Sequence, residues 1–218
     1  MLRKSLLVCG IASSLLYAAM NVFIPMRFEG YHLASQTVSE LSAIGAPTRG
    51  LWVPLGLVYA VLVVAFGWGV WASAAGNRRL RIAGSLLIIN GAISLAWPPM
   101  HLRGAAMTAT DIMHIVFAVI TVLLMFLTIG FGAFAFGKGF RSFSLATIAI
   151  FLIFGTLTAF DAPRLAANLP TPWLGVWERI NIGAYMLWMI VFALRVMGVH
   201  RLALTPAPGG ATKVAEVL

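Results

Sequence analysis

The sequence predicts an all-α polytopic integral membrane protein, a bundle of six transmembrane helices with both termini cytoplasmic and a short interfacial helix in the first outer loop. Composition is the first reason. Of 218 residues, 61% are hydrophobic and 10% charged, and mean hydropathy is +0.97, more apolar surface than a soluble domain of this size buries. Segmentation is the second: six runs, residues 5–24, 51–75, 82–97, 111–136, 143–160 and 176–199, are long or apolar enough to span hydrocarbon. They lack the period-two alternation of a membrane barrel, and in lipid only helices satisfy such a backbone within the segment. The third reason is a charge asymmetry between the two sides.

The first run follows Arg3-Lys4 and reads as a signal anchor that stays in the membrane. It holds the one cysteine, Cys9, so no intramolecular disulfide forms. Leu6-Leu7-Val8-Cys9 fits a lipoprotein cleavage box poorly, and Cys9 reads as a packed thiol. The third run is the shortest. Links 76–81 and 137–142 are short, while 25–50, 98–110 and 161–175 are longer and richer, and function in loops belongs in the long ones. Residues 1–201 form one transmembrane domain, and 202–218, with Pro206-Ala207-Pro208-Gly209-Gly210, read as a flexible cytoplasmic tail.

Basic residues set the orientation. Ten of the fifteen Lys and Arg fall on the side of the short links and termini, against five (Arg27, Arg49, Arg103, Arg164, Arg179) on the other. The positive-inside rule then puts both termini in the cytoplasm of a prokaryotic plasma membrane. The net charge of +9 and pI near 10.9 describe a topology signal beside anionic lipid, so a nucleic-acid partner is excluded and membrane lipid is the expected one. Tryptophans agree, with Trp52, Trp97, Trp173 and Trp177 near the outer interface and Trp68 and Trp71 near the inner. Trp188 falls mid-span.

Every acid but Glu216 lies on the outer side: Glu29, Glu40, Asp111, Asp161 and Glu178. Carboxylates beside hydrocarbon are expensive to keep, so their gathering marks a candidate site, with Glu40, Asp111, Asp161, Glu178 and His114 as candidate catalytic groups. Thr37 and Glu40 have capping-box spacing, and Gly45 before Pro47 makes a helix stop. Glu40 as a mere cap is the competing reading. Asp111 and His114 share a helix face at i, i+3, with His101 ten residues before Asp111; the trio suits a weak metal site or a His–carboxylate couple. The helix dipole alone favours Asp111, and His114 has a plain role bonding a neighbouring helix. No recognised metal spacing or nucleophile motif is present, and no cofactor is named by the sequence.

The last span carries Glu178, Asn181, Tyr185 and Trp188 at i, i+3, i+7, i+10, a polar stripe towards the bilayer centre. Others are Ser13, Tyr17 and Asn21, then Asn90, Ser94 and Trp97, then His114 and Thr121, then Thr158 and Asp161. Facing lipid they would go unsatisfied, so they face one another. The set predicts an outward-open polar cavity, with Tyr17, Asn21, Asn90, Ser94, Asn181, Tyr185, Trp188 and Arg179 as pocket candidates. Interhelical bonding is the bland alternative, and Arg164 and Arg179 pairing with the carboxylates would neutralise the site.

The segment 36–49, Gln-Thr-Val-Ser-Glu-Leu-Ser-Ala-Ile-Gly-Ala-Pro-Thr-Arg, resembles the signature loop of a bacterial and archaeal membrane-protein family, catalogued as domain of unknown function 998. The proline-terminated third span, the Asp111–His114 helix start and Trp177-Glu178-Arg179-Ile180 are similar too. The resemblance runs from about Ser5 to Val199 and implies six membrane helices, with no catalytic role for any residue.

Three function classes follow. One is a membrane-embedded enzyme or binder for a lipid or small amphipathic molecule at the outer leaflet, which is the favoured reading. Another is a small-solute transporter, which at this size would work as a homo-oligomer. The last is an accessory subunit of a membrane complex, its polar groups serving helix packing.

Overall fold

Apolar runs become helices because every backbone group can then bond within its own segment. A computed structural model describes the backbone of residues 2–204 and the side chains of residues 2–198. Among these there is no strand, and six helices follow in order: α1 (Leu2–Phe23), α2 (Arg49–Ala72), α3 (Arg78–Leu95), α4 (Ala109–Ala133), α5 (Lys138–Ala166) and α6 (Leu174–Leu204). Five are long and apolar enough to cross a membrane; α3 begins with Arg78, Arg79 and Arg81 and is not among them. Residues 205–218, most of the expected tail, lie outside the described residues, as does Glu216.

Each helix packs on its neighbour in sequence, and α6 closes the ring on α1. The tightest pair is α2 with α3, and small residues allow it. A Cβ on Gly84 would stand 2.6 Å from the Trp71 backbone nitrogen, and one on Gly67 2.8 Å from the Gly84 carbonyl oxygen. One core lies between the helices, around Phe66, Leu87, Tyr185, Trp188 and Phe192. A second sits under the long loops, where Val38 and Leu41 pack on Met20, Ile24 and Trp52. Large apolar side chains such as Val119, Leu123, Leu152 and Ile153 point outward, as lipid-facing surface should.

Helix ends depart from the hydropathy windows. The third segment starts at Arg78, not residue 82, because the Asn77 side chain caps it, accepting from Arg79 N (3.1 Å) and Leu80 N (3.2 Å). The fifth runs from Lys138 to Ala166, so Asp161 stands on a helix and not in a loop. Helical hydrogen bonding continues past the apolar stretch, and the chain turns away only at Asn168, with φ +53°. Between α1 and α2 the expected short helix is a 3-10 helix, Val38–Ser42, started by the Thr37–Glu40 capping box. Ile44 N then donates to Met100 O at 2.7 Å, bringing the first long loop against the second.

Candidate functional site

The 3-10 helix of the first loop carries Glu40 inward, 1% exposed. Its Oε1 accepts from Thr37 N (3.1 Å) and Arg103 Nη2 (3.0 Å), and its Oε2 from Gln36 Nε2 (2.7 Å). Arg103, in the second loop, also donates to Ser35 O (3.1 Å) and to the Thr171 hydroxyl (2.9 Å) of the third. One guanidinium fork therefore ties all three long loops, a geometry that suits Arg and not Lys. Glu40 is a cap, as its ordinary reading has it, and also the anion of a buried ion pair.

Arg179, on the first turns of α6, is a second clamp. It donates to the carbonyls of Leu33 (2.8 Å), Gln36 (3.0 Å) and Gly175 (3.0 Å) and to the Tyr31 hydroxyl (2.6 Å). No carboxylate lies within ion-pair distance of it among the described residues. Burial pushes the Tyr31 phenol up to about 12, against the opposing pull of the guanidinium. The neutral phenol is then free to donate to Thr37 O at 2.7 Å.

The remaining acids separate. Asp111 accepts from Thr108 N (2.8 Å) and His101 N (2.6 Å) and lies 3.1 Å from the His101 ring, so it caps α4 and holds the second loop. Asp161 sits 3.9 Å from Arg164, which itself donates to Pro170 O at 2.8 Å. His114 turns away from His101 and Asp111: Nδ1 meets Pro98 O at 2.8 Å and Nε2 meets Ser39 Oγ at 3.1 Å. A carbonyl only accepts, so Nδ1 carries a proton, and in the neutral ring Nε2 accepts from the Ser39 hydroxyl. Among the described residues no three His, Cys, Asp or Glu side chains gather as a metal ligand set, and His101, Asp111 and His114 do not form one.

Under the first loop lies a cavity of about 240 Å³. Tyr17, Asn90, Ser94, Tyr185 and Glu178 line it, as do Ser39, Ser42, Arg49, Trp52, Tyr59, Thr121 and apolar residues of α2, α3, α4 and α6. Asn90 Oδ1, Thr121 Oγ1 and Tyr185 OH are buried there without a hydrogen-bond partner, although Tyr185 and Asn90 stand close to each other. Glu178 accepts from Val38 N at 2.7 Å, and no Lys or Arg of the described residues lies within ion-pair distance of it. Val53, Leu57 and Leu95 line the cavity while remaining exposed, so its wall is continuous with the outer apolar surface.

Four pocket candidates lie elsewhere. Asn21 Nδ2 donates to Tyr17 O (2.9 Å) within α1, leaving Oδ1 unpartnered. Asn181 faces α5, and with its amide turned to suit both neighbours its nitrogen donates to Ile150 O (3.3 Å) and its oxygen accepts from Gly155 N (3.0 Å). Trp188 donates to Ser144 Oγ at 2.9 Å and stacks on Phe192 with centroids 4.6 Å apart, a core residue. Arg179 grips the loop. Conversely, Arg103, Arg49 and Tyr59 carry weight that sequence reasoning missed. Its place as the one Lys or Arg of residues 98–110 was the one signal for Arg103.

The arrangement is a cavity with both polar and apolar walls. A family model described as a protein of unknown function, DUF998, matches residues 11–195. No curated protein and no solved structure matches the chain. With most of its length covered by that model, the chain belongs to the DUF998 family.

Proposed function

We propose that the protein binds a small amphiphile, or the headgroup end of a lipid, in the cavity beneath the first long loop. The observation that carries this reading is the trio of buried, unpartnered polar atoms on Asn90, Thr121 and Tyr185, in a cavity whose other wall is apolar. An unpaired buried polar group costs about 1–3 kcal/mol, so three of them argue for a guest that satisfies them. Counting α3 as a sixth span leaves both termini on one side, and the Lys and Arg excess there faces the cavity to the outer leaflet of a plasma membrane.

Thermal unfolding in mild detergent tests it, with and without added phosphatidylethanolamine, phosphatidylglycerol and diacylglycerol. Gly56 lines the cavity and has open space at its Cβ, so Gly56→Phe adds a ring at the cavity wall without a backbone clash. At least one amphiphile should raise the wild-type Tm and lose that effect in Gly56→Phe. Stabilisation that is absent, or indifferent to Gly56→Phe, would remove the reading.

One contact supports an enzymatic variant of the same site. Ser39 lines the cavity, and its Oγ is 3.1 Å from His114 Nε2, while Pro98 O fixes the ring by Nδ1. That is the geometry of a hydroxyl beside a base. A fluorophosphonate probe should then label Ser39 and spare both Ser39→Ala and His114→Asn; no labelling of the wild type leaves binding alone.

A further inference from the structure

Charged side chains in a membrane cavity favour a counter-charge, and this cavity holds one of each sign with no ion pair among the described residues. Glu178 has the backbone N–H of Val38 on Oε2 and no cation within ion-pair distance among the described residues, Arg179 acting on it only from farther off. Arg49 opens α2 and gives Nη1 to the Ser42 carbonyl; its other N–H groups make no hydrogen bond among the described residues. A guanidinium has five donors in a fixed fork, which match a phosphate or carboxylate. Both side chains line the same cavity.

The ring geometry around Glu178 adds a preference. Tyr17 meets Trp52 edge-on at 5.7 Å between centroids and Tyr59 at 4.8 Å, and all three rings line the cavity with the carboxylate. Aromatic faces beside a carboxylate attract an ammonium, and the gain grows where water is excluded. The cavity is smaller than the ~300–1,000 Å³ of a drug-sized site, so it takes a headgroup and not two acyl chains. Chains would leave past Val53, Leu57 and Leu95.

We infer that the cavity takes a zwitterionic headgroup, its ammonium between Glu178 and the Tyr17, Trp52 and Tyr59 rings and its phosphate or carboxylate at Arg49. The inference rests on the amphiphile-binding reading above and adds the charge pattern of the guest. Asn90, Thr121 and Tyr185 supply the neutral donors and acceptors, and the apolar rim holds the start of the chain.

Equilibrium binding to the purified full chain, by intrinsic tryptophan fluorescence, tests it with four probes: short-chain phosphatidylethanolamine, short-chain phosphatidylglycerol, diacylglycerol and soluble glycerophosphoethanolamine. The zwitterionic lipid should bind at least tenfold tighter than the anionic and neutral ones. The chainless headgroup should bind at least tenfold weaker than its lipid. Glu178→Gln should weaken phosphatidylethanolamine by tenfold or more and leave phosphatidylglycerol unchanged, whereas Arg49→Gln should weaken both. Equal affinity for the three lipids, with binding still lost in Gly56→Phe, would overturn the charge pattern while the amphiphile site stands. Equal affinity for the lipid and its soluble headgroup would overturn the role of the chain. The comparison of lipids on wild-type protein needs no variant to fold.

Discussion

Arg103 Nη2 donates to Glu40 Oε1 at 3.0 Å across 63 residues of sequence, and the carboxylate is 1% exposed while the guanidinium is 24% exposed. That unequal burial makes the pair unequal to mutation. Removing Arg103 strands a charge with no route to water, whereas removing the Glu40 charge leaves a guanidinium that can reach solvent. Arg103→Ala should therefore cost about 3 kcal/mol, the low end for a broken buried pair because one partner is partly screened. Glu40→Gln, which keeps an acceptor for Thr37 N, should cost about 1 kcal/mol. Chemical unfolding in detergent measures both; equal losses would contradict the asymmetry.

Tyr31 and Arg179 give the loop clamp a pH signature. Burial raises the folded Tyr31 phenol from 10.0 to about 12, while the unfolded chain titrates near the ordinary tyrosine value. The folded state therefore holds the proton more tightly, and the stability it adds is fully present below pH 10. Between pH 10 and 12 the unfolded chain ionises first and that stability is lost as pH rises. Tyr31→Phe should lose less stability than wild type over this window. Parallel Tm-versus-pH curves for the two proteins would refute the assignment.

Helices were legible in this sequence because the bilayer imposes a length and an apolarity on each, but their ends were not. Asn77 starts α3 from outside the hydropathy window, and α5 runs on through Asp161. The site was half legible for a related reason. Polar residues at helical spacing, Tyr17, Asn90, Ser94, Tyr185 and Glu178, had nowhere to point but inward, and they meet in one cavity. Pairing between loops was hidden. Arg164 does approach a carboxylate, Asp161, but Arg179 takes three carbonyls and a phenol instead, and Glu40 goes to Arg103. Five Arg and five acids on one side allow many matchings, and only the loop conformation selects among them.

Glu178 should behave unlike Glu40. Its carboxylate makes no ion pair among the described residues, and Gln at this position can still accept from Val38 N. In ligand-free detergent, Glu178→Gln should leave the Tm unchanged or raise it, because a buried charge without an ion pair has been removed. A loss comparable to that of Arg103→Ala would mean that Glu178 is locked into the fold, and not held ready for a guest.

Two glycines of α4 separate packing from helix propensity. A Cβ on Gly132 would stand 2.7 Å from the Trp188 ring, whereas one on Gly130 meets nothing within 4 Å. Trp188 cannot yield easily, since its Nε1 is bonded to Ser144 and its ring is stacked on Phe192 and Tyr185. Gly132→Ala should therefore destabilise by about 1–3 kcal/mol, the usual cost of overpacking. Gly130→Ala should be neutral or slightly stabilising, since alanine is the better helix former and no neighbour must move. Thermal melts of the two variants in the same detergent compare them directly. Equal behaviour would mean that α4 can shift away from α6, and that Trp188 does not fix the helix ring beneath the cavity.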